Sequence, residues 1–264
     1  VSEAVELGPV ELAVATSLVL IAGVVSVALR LGLEKRLALA TARTVVQLLL
    51  VGLVLRWVFA VAHWPLVFTL ALAMVALAAR AALERPARRV AGTYTSAFVS
   101  LGLSCVLCTL LTLTCVVGAE PWYAPRYFLP LLGMALGNGL TGASLCIDHF
   151  LEQVVSRADQ VEMELCHGAS PWEASRPLLA DAVRRGLVPT LNSMMVVGIV
   201  SLPGMMTGQI LAGADPLQAV AYQIVVLFMI AAATALACML LAVLLRRRVF
   251  DEFGRPRVEC ITRE

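Results

Sequence analysis

The chain has 264 residues, 60% hydrophobic and only 14% charged, with a net charge of +2 and a mean hydropathy of +0.89. A soluble domain carries about 25% charged residues, so these values exclude an ordinary soluble enzyme, and so much apolar surface excludes a disordered chain. The small net charge gives no electrostatic footprint for nucleic acid. The single lysine, Lys35, follows Glu34, so the chain holds no phosphate-cradling G-x-x-x-x-G-K-[ST] loop.

A helix that crosses a bilayer needs about 20 apolar residues. Seven runs meet that need, at 10–33, 37–60, 65–83, 94–118, 127–148, 187–211 and 216–245. They predict an all-α polytopic membrane protein built as one transmembrane domain over 1–264. Of the basic residues, 17 fall on one set of alternate loops, from Arg30, Lys35 and Arg36 to Arg257 and Arg263. Only Arg56 and Arg126 fall on the other, and Arg43 lies within a span. Cytoplasmic loops collect arginine and lysine, so the N-terminus is expected outside and the C-terminus inside. The acidic start, with Glu3, Glu6 and Glu11, lacks the basic region of a cleavable signal peptide, so the first span is expected to be retained.

In the second run, Arg43 and Gln47 stand one helical turn apart. An intramembrane charge is costly and is usually paired or functional. Arg43 can pair with Asp148 at the end of the fifth run, or reach back to the membrane surface. Cys105-x-x-Cys108 has the spacing of a redox or metal pair, but it lies inside the fourth run, where cysteine is usually a small packing residue. In the fifth run, Gly133-x-x-x-Gly137 and Gly139-x-x-Gly142 form a helix-packing pattern, with a dimer seam as one use for it. Asn138, Thr141 and Ser144 add polar groups there.

Residues 149–186 form the one long loop. A polar helix over 151–167 should end at Gly168 in a left-handed cap. Ser170-Pro171-Trp172-Glu173 is a capping box with proline at the first helical position. Pro177 should stop the helix after about two turns. A short capped helix over 170–176 can dock a cytoplasmic partner, with Trp172 and Arg176 as anchors. Equally, it can be a surface turn with Trp172 at the lipid headgroups.

The sixth run is chemically unusual. Pro203-Gly204 in mid-span should kink or unwind the helix and free backbone carbonyls, and such breaks are where transporters build sites. Helical spacing puts Asn192, Met195, Ile199, Met206 and Gln209 on one stripe, the better candidate for a pathway. Met194, Gly198, Ser201, Met205 and Gly208 form a second stripe that reads as a packing face. Methionines also simply fill gaps in bundles, so Met195 and Met206 are metal-ligand candidates and packing candidates alike.

A family resemblance adds to this reading. Residues 162–171, from Glu162 through Gly168, Ala169 and Ser170 to Pro171, resemble the E-A-A-x-x-x-G loop of ABC importer permeases, although Met163 and Glu164 replace the two alanines. More widely, Arg43-Thr-Val-Val-Gln47, Leu136-Gly-Asn138-Gly-Leu-Thr141-Gly, Gly168-Ala-Ser-Pro-Trp172-Glu-Ala and the run from Pro189 through Asn192 and Pro203 to Gln209 are similar to the FetB-type permease family. That resemblance implies an iron-export ABC permease, with plant relatives linked to aluminium tolerance. It implies an inner-membrane homodimer and a separate cytoplasmic ATPase that holds ATP and Mg, with no cofactor and no catalytic residue in this chain. ATPase coupling would fall to Glu162, Gly168, Ala169, Ser170, Pro171, Trp172, Glu173 and Arg176. The pathway would be lined by Arg43, Gln47, Asn138, Asp148, Asn192, Met195, Met206 and Gln209, around the break at Pro203 and Gly204. Iron(II) favours imidazole and carboxylate over thioether, which leaves as cargo a complexed metal, a softer ion, or something else that the methionines line without ligating. The alternative is a stand-alone channel or an ion-coupled carrier, a class that commonly places carboxylates in the membrane core.

Overall fold

The computed structural model describes residues 8–32, 34–61, 63–118, 120–251 and 253–263. The elements run α1 (Pro9–Ala28), α2 (Glu34–Val61), α3 (Trp64–Leu83), β1 (Arg88–Val90), α4 (Thr93–Thr112), α5 (Pro125–Ser156), α6 (Ala158–Cys166), α7 (Pro171–Val196), α8 (Gly204–Leu211), α9 (Pro216–Val249) and β2 (Ile261–Arg263). A π-helical turn, Leu113–Val117, extends α4. Among the described residues, α2, α3, α4 with its extension, α5 and α9 are long and apolar enough to cross a membrane, and Thr16–Ala28 is a shorter apolar helix. This is an all-helical, multi-pass membrane protein with one small ribbon.

Five helices form the bundle: α3, α4, α5, α7 and α9 pack on one another, while α2 lies against α5 and α1 packs on α2, with most of the described apolar side chains of these two helices outward. In water that exposure would be costly. In a bilayer it is the lipid-facing surface, and the helices are held by van der Waals packing of small residues.

Three helix backbones approach closely where α5, α7 and α9 meet. A Cβ built on Gly142 would sit 2.9 Å from the Gly186 carbonyl and 2.7 Å from Thr234 Cγ2. One built on Gly186 would sit 2.7 Å from Cys238 Sγ and 2.8 Å from the Gly142 carbonyl. Beside them the Cys146 thiol donates to the Cys238 carbonyl at 3.7 Å. Gly139 packs instead on Cys105 and Leu101 of α4, each of which would lie 3.2 Å from a Cβ at that position. The Gly139–Gly142 pattern is thus spent inside the chain rather than at a dimer seam. Cys105 and Cys108 are buried and free, in keeping with packing.

Several boundaries differ from the sequence expectation. The first span was expected to reach Leu33, which lies outside the described residues, but α1 stops at Ala28, where Arg30 and Gly32 take positive φ. α5 does not end at Asp148 but runs two turns further to Ser156. The largest correction concerns α7. Pro177 does not stop it and Pro189 does not start a new span: 26 residues form one helix through both prolines. Each interior proline costs about 3 kcal/mol relative to alanine. Burial of Ala174, Leu178, Leu179, Ala182, Gly186 and Thr190 along one face offsets it. The sixth span therefore has no start near 187, and its break is wider than Pro203-Gly204: residues 197–203 are unwound between α7 and α8.

Beyond α9 the chain folds back. Asp251 Oδ1 accepts from the N–H groups of Phe253 and Arg255 at 3.0 and 2.7 Å, Arg257 N–H donates to Val249 O at 2.8 Å, and β2 then pairs antiparallel with β1, Arg88 opposite Arg263. The ribbon ties the C-terminal tail to the α3–α4 connection.

Gly142→Ala and Gly186→Ala should each destabilise the bundle by about 1–3 kcal/mol, the usual cost of overpacking. Gly137→Ala, whose Cβ would meet nothing within 4 Å, should be neutral or slightly stabilising, since alanine is the better helix former. Thermal unfolding midpoints of the three variants in one detergent check this.

Candidate functional site

The predicted coupling residues do come together on one surface. α6 ends at Cys166, and Gly168 at φ +91° reverses the chain. Ser170 then caps α7. Its hydroxyl accepts from the Glu173 N–H at 3.3 Å, and Glu173 Oε2 accepts from the Ser170 hydroxyl at 2.6 Å and from the Ser170 N–H at 2.9 Å. The hydrogen bond from the Ser170 side chain, and then that from its backbone, hold the Glu173 carboxyl below the usual range. Glu162, Trp172 and Arg176 are exposed, and Trp172 keeps 48% of its surface.

Trp172 is not held by the cap alone. The Arg246 guanidinium lies 5.3 Å from its ring centroid, a cation–π geometry. Arg246 Nε–H also donates to the Ser175 hydroxyl at 2.7 Å, and that hydroxyl donates to the Pro171 carbonyl at 2.7 Å. The first turn of α7 is thereby fixed to the last turn of α9. The C-terminal tail joins the same surface, as a Cβ on Gly254 would sit 2.5 Å from Pro171 Cβ. Phe253 and Arg255 of the tail, with Glu162, Leu165 and Cys166, line a cavity of about 560 Å³. No motif marked the tail; its only sequence signal is Asp251 ahead of Gly254, a turn pattern.

The predicted pathway residues divide. Arg43 and Gln47 line a cavity of about 660 Å³ between α2, α3 and α5, together with Arg80, Glu84, Gly133 and Gly137. Asp148 does not pair with Arg43: its Oδ1 accepts from the Ala87 N–H at 3.1 Å and fixes the turn after α3. Asn138 folds onto its own helix, donating to Met134 O at 3.0 Å. Arg80 and Glu84 escaped the sequence reading because they look like ordinary charges at a helix end.

The stripe that joined Met195 to Met206 assumed an unbroken helix, and the structure does not form it. Met195, 72% exposed, ends α7, whereas Met206, 8% exposed, packs in α8. The proposed packing stripe fails for the same reason, since Gly198 (φ +83°) and Ser201 both lie in the unwound segment and are exposed. There Gly198 N–H donates to Ser201 O at 2.9 Å and Val200 N–H to Val196 O at 3.0 Å. Asn192 is exposed on α7. Gln209 is half-buried, and its Oε1, like Gln223 Oε1 and the Tyr222 hydroxyl of α9, is a buried polar atom without a hydrogen-bond partner. The Tyr222-Gln223 pair in an otherwise apolar run was the signal that the sequence offered and the reading passed over. Among the described residues no three His, Cys, Asp or Glu side chains group as a metal site.

Residues 9–250 match the uncharacterised protein family UPF0014. The chain is 37% identical to the UPF0014 membrane protein slr1647 of Synechocystis, over 84% of this chain and 86% of that one. It is 34% identical to the probable iron export permease protein FetB of Escherichia coli, over 91% of each. It is 33% identical to the protein ALUMINUM SENSITIVE 3 of Arabidopsis thaliana, over 86% of this chain and 82% of that one. No solved structure matches.

Loss of an N-cap costs about 1 kcal/mol, which corresponds to roughly fivefold faster opening of the first turn. Ser170→Ala should therefore speed amide hydrogen exchange at Glu173 and Ala174 by about fivefold and leave exchange beyond Gly186 unchanged. A folded carboxyl with a depressed pKa contributes stability above its unfolded pKa and loses it as the pH falls through the folded one. Acidification through the carboxylate range should thus reproduce part of the Ser170→Ala effect in the unaltered protein, read in the same exchange experiment after correction for intrinsic rates.

Proposed function

Because the chain belongs to the UPF0014 family of membrane proteins, we propose that it is the permease subunit of an ATP-binding-cassette transporter. Its cargo is iron or another metal, free or complexed, moved outward across the inner cell membrane. A separate cytoplasmic ATPase, carrying ATP and Mg, supplies the energy, and two copies of this chain form the pathway. The name of the Escherichia coli relative supports iron export as the direction and cargo, and that of the Arabidopsis relative supports handling of metal.

One observation carries the reading. α7 begins at the capped, exposed Trp172 turn and ends at the unwound segment 197–203. At 1.5 Å per residue its 26 residues reach about 39 Å. A push on the Trp172 end is thus delivered along one helix to the break at Pro203 and Gly204, where a membrane helix can change shape. Five spans are long helices; α1 and the α7–α8 pair complete seven, with N-terminus outside and C-terminus inside. In this arrangement Glu162, Gly168, Ala169, Ser170, Pro171, Trp172, Glu173 and Arg176 face the ATPase. Cargo passes Arg43 and Gln47 and then the break, near Asn192, Met195 and Gln209. The burial of Met206 favours packing over ligation for that residue.

Trp172→Ala tests the coupling. Interface hot spots lose about 2 kcal/mol or more on truncation, so co-purification with a candidate partner ATPase should fall at least about tenfold. Substrate-stimulated ATP hydrolysis should fall with it, while the permease remains folded in the membrane. If ATPase binding is intact, Trp172 serves only the lipid headgroups or the contact with Arg246.

A further inference from the structure

The cavity between α2, α3 and α5 carries a chemistry that the word metal does not explain. Two guanidiniums, Arg43 and Arg80, and one carboxamide, Gln47, face a space of about 660 Å³, with Glu84 as the single carboxylate in its wall. Neither arginine is in an ion pair within the described residues. The floor is small and apolar, Gly133 and Gly137 leaving room on α5. A neighbouring cavity of about 370 Å³ shares Arg80 and Glu84.

A bare dication entering this space meets a net positive lining, in surroundings less polar than water, where like charges repel more strongly. Guanidinium is instead the side chain best suited to oxyanions, with two parallel N–H donors that match a carboxylate. The volume falls in the range of small-molecule sites rather than of a single ion. We propose that this cavity is a binding site for a carboxylate-rich anion, and that the cargo metal reaches the permease as an anionic polycarboxylate complex rather than as a free cation. Arg43 and Arg80 hold the carboxylates that the metal leaves outward, and Gln47 donates a further hydrogen bond. The word cargo rests on the transport reading above; the site itself does not. An oxyanion at this depth could also come from an anionic lipid headgroup, which the experiment separates.

The test uses the full chain in nanodiscs of phosphatidylcholine alone, without any ATPase, so the result stands whether or not the coupling reading holds. Equilibrium dialysis measures binding of gallium(III) citrate, a redox-inert chelate, and separately of manganese(II) with no chelator. Gallium citrate should bind saturably. Arg43→Gln and Arg80→Gln should each weaken it by about tenfold, as expected for loss of one charge-assisted pair, and Arg43→Lys should weaken it less. Manganese(II) should bind no better to the unaltered chain than to Arg43→Gln. Both arginines are exposed, and unchanged unfolding midpoints confirm that the variants fold. The proposal is overturned if manganese(II) binds saturably and the chelate does not, or if chelate binding ignores Arg43 and Arg80. It is also overturned if the chelate fails to bind while phosphatidylglycerol, added to the nanodiscs, is retained in an Arg43-dependent way, which assigns the cavity to lipid.

Discussion

The close approach of Gly142 and Gly186 sets the geometry of everything else. A bilayer offers little hydrophobic drive for helices to associate, so contact between backbones has to supply it. Here two helices touch at glycine, and the third adds Thr234 and Cys238 to the same point. The crossing holds α7 through its middle, with a capped polar half on one side and the unwound segment on the other. It also places the start of α7 beside the end of α9, which lets Arg246 reach Trp172 and Ser175.

That placement makes the exposed end of the molecule a composite. The α6–α7 turn supplies the cap and Trp172, α9 supplies Arg246, and the tail beyond α9 supplies Phe253 and Arg255. The β1–β2 ribbon fastens the tail to the α3–α4 connection, and Arg248 Nε–H fastens the end of α9 to Ser96 of α4 at 2.8 Å. A partner that grips this surface therefore grips four parts of the bundle at once. α2, which carries Arg43, stands apart from that framework and touches the bundle only lightly, so one wall of the Arg43 cavity is not part of the packed core.

Much of this was legible in the sequence, because apolar runs of the right length report lipid directly. The capping box at Ser170 and Glu173 was legible too, since it is a local pattern with a local cause. What was hidden depended on tertiary contact. Pro177 and Pro189 read as helix ends because local propensity is strongly against them, and only burial against α5 and α9 overrides it. The methionine stripe followed from helical spacing carried across Pro203, where spacing no longer applies. Asp148 looked like a partner for Arg43 by depth, but depth says nothing of azimuth, and Asp148 accepts from the Ala87 N–H instead. Arg80 and Glu84 acquire meaning only when α2 stands opposite α3.

The continuity of α7 is the point on which the account turns, and one distance tests it. Arg176 and Leu191 are both exposed and lie on either side of Gly186, with Pro177 and Pro189 between them. Spin labels at these two positions should give one narrow distance, set by about 22 Å of helix rise between the backbones. That distance should be the same in the isolated permease in detergent and in lipid nanodiscs. A broad distribution, or a shift between the two, would mean that α7 hinges at its prolines and cannot deliver a displacement from Trp172 to the break.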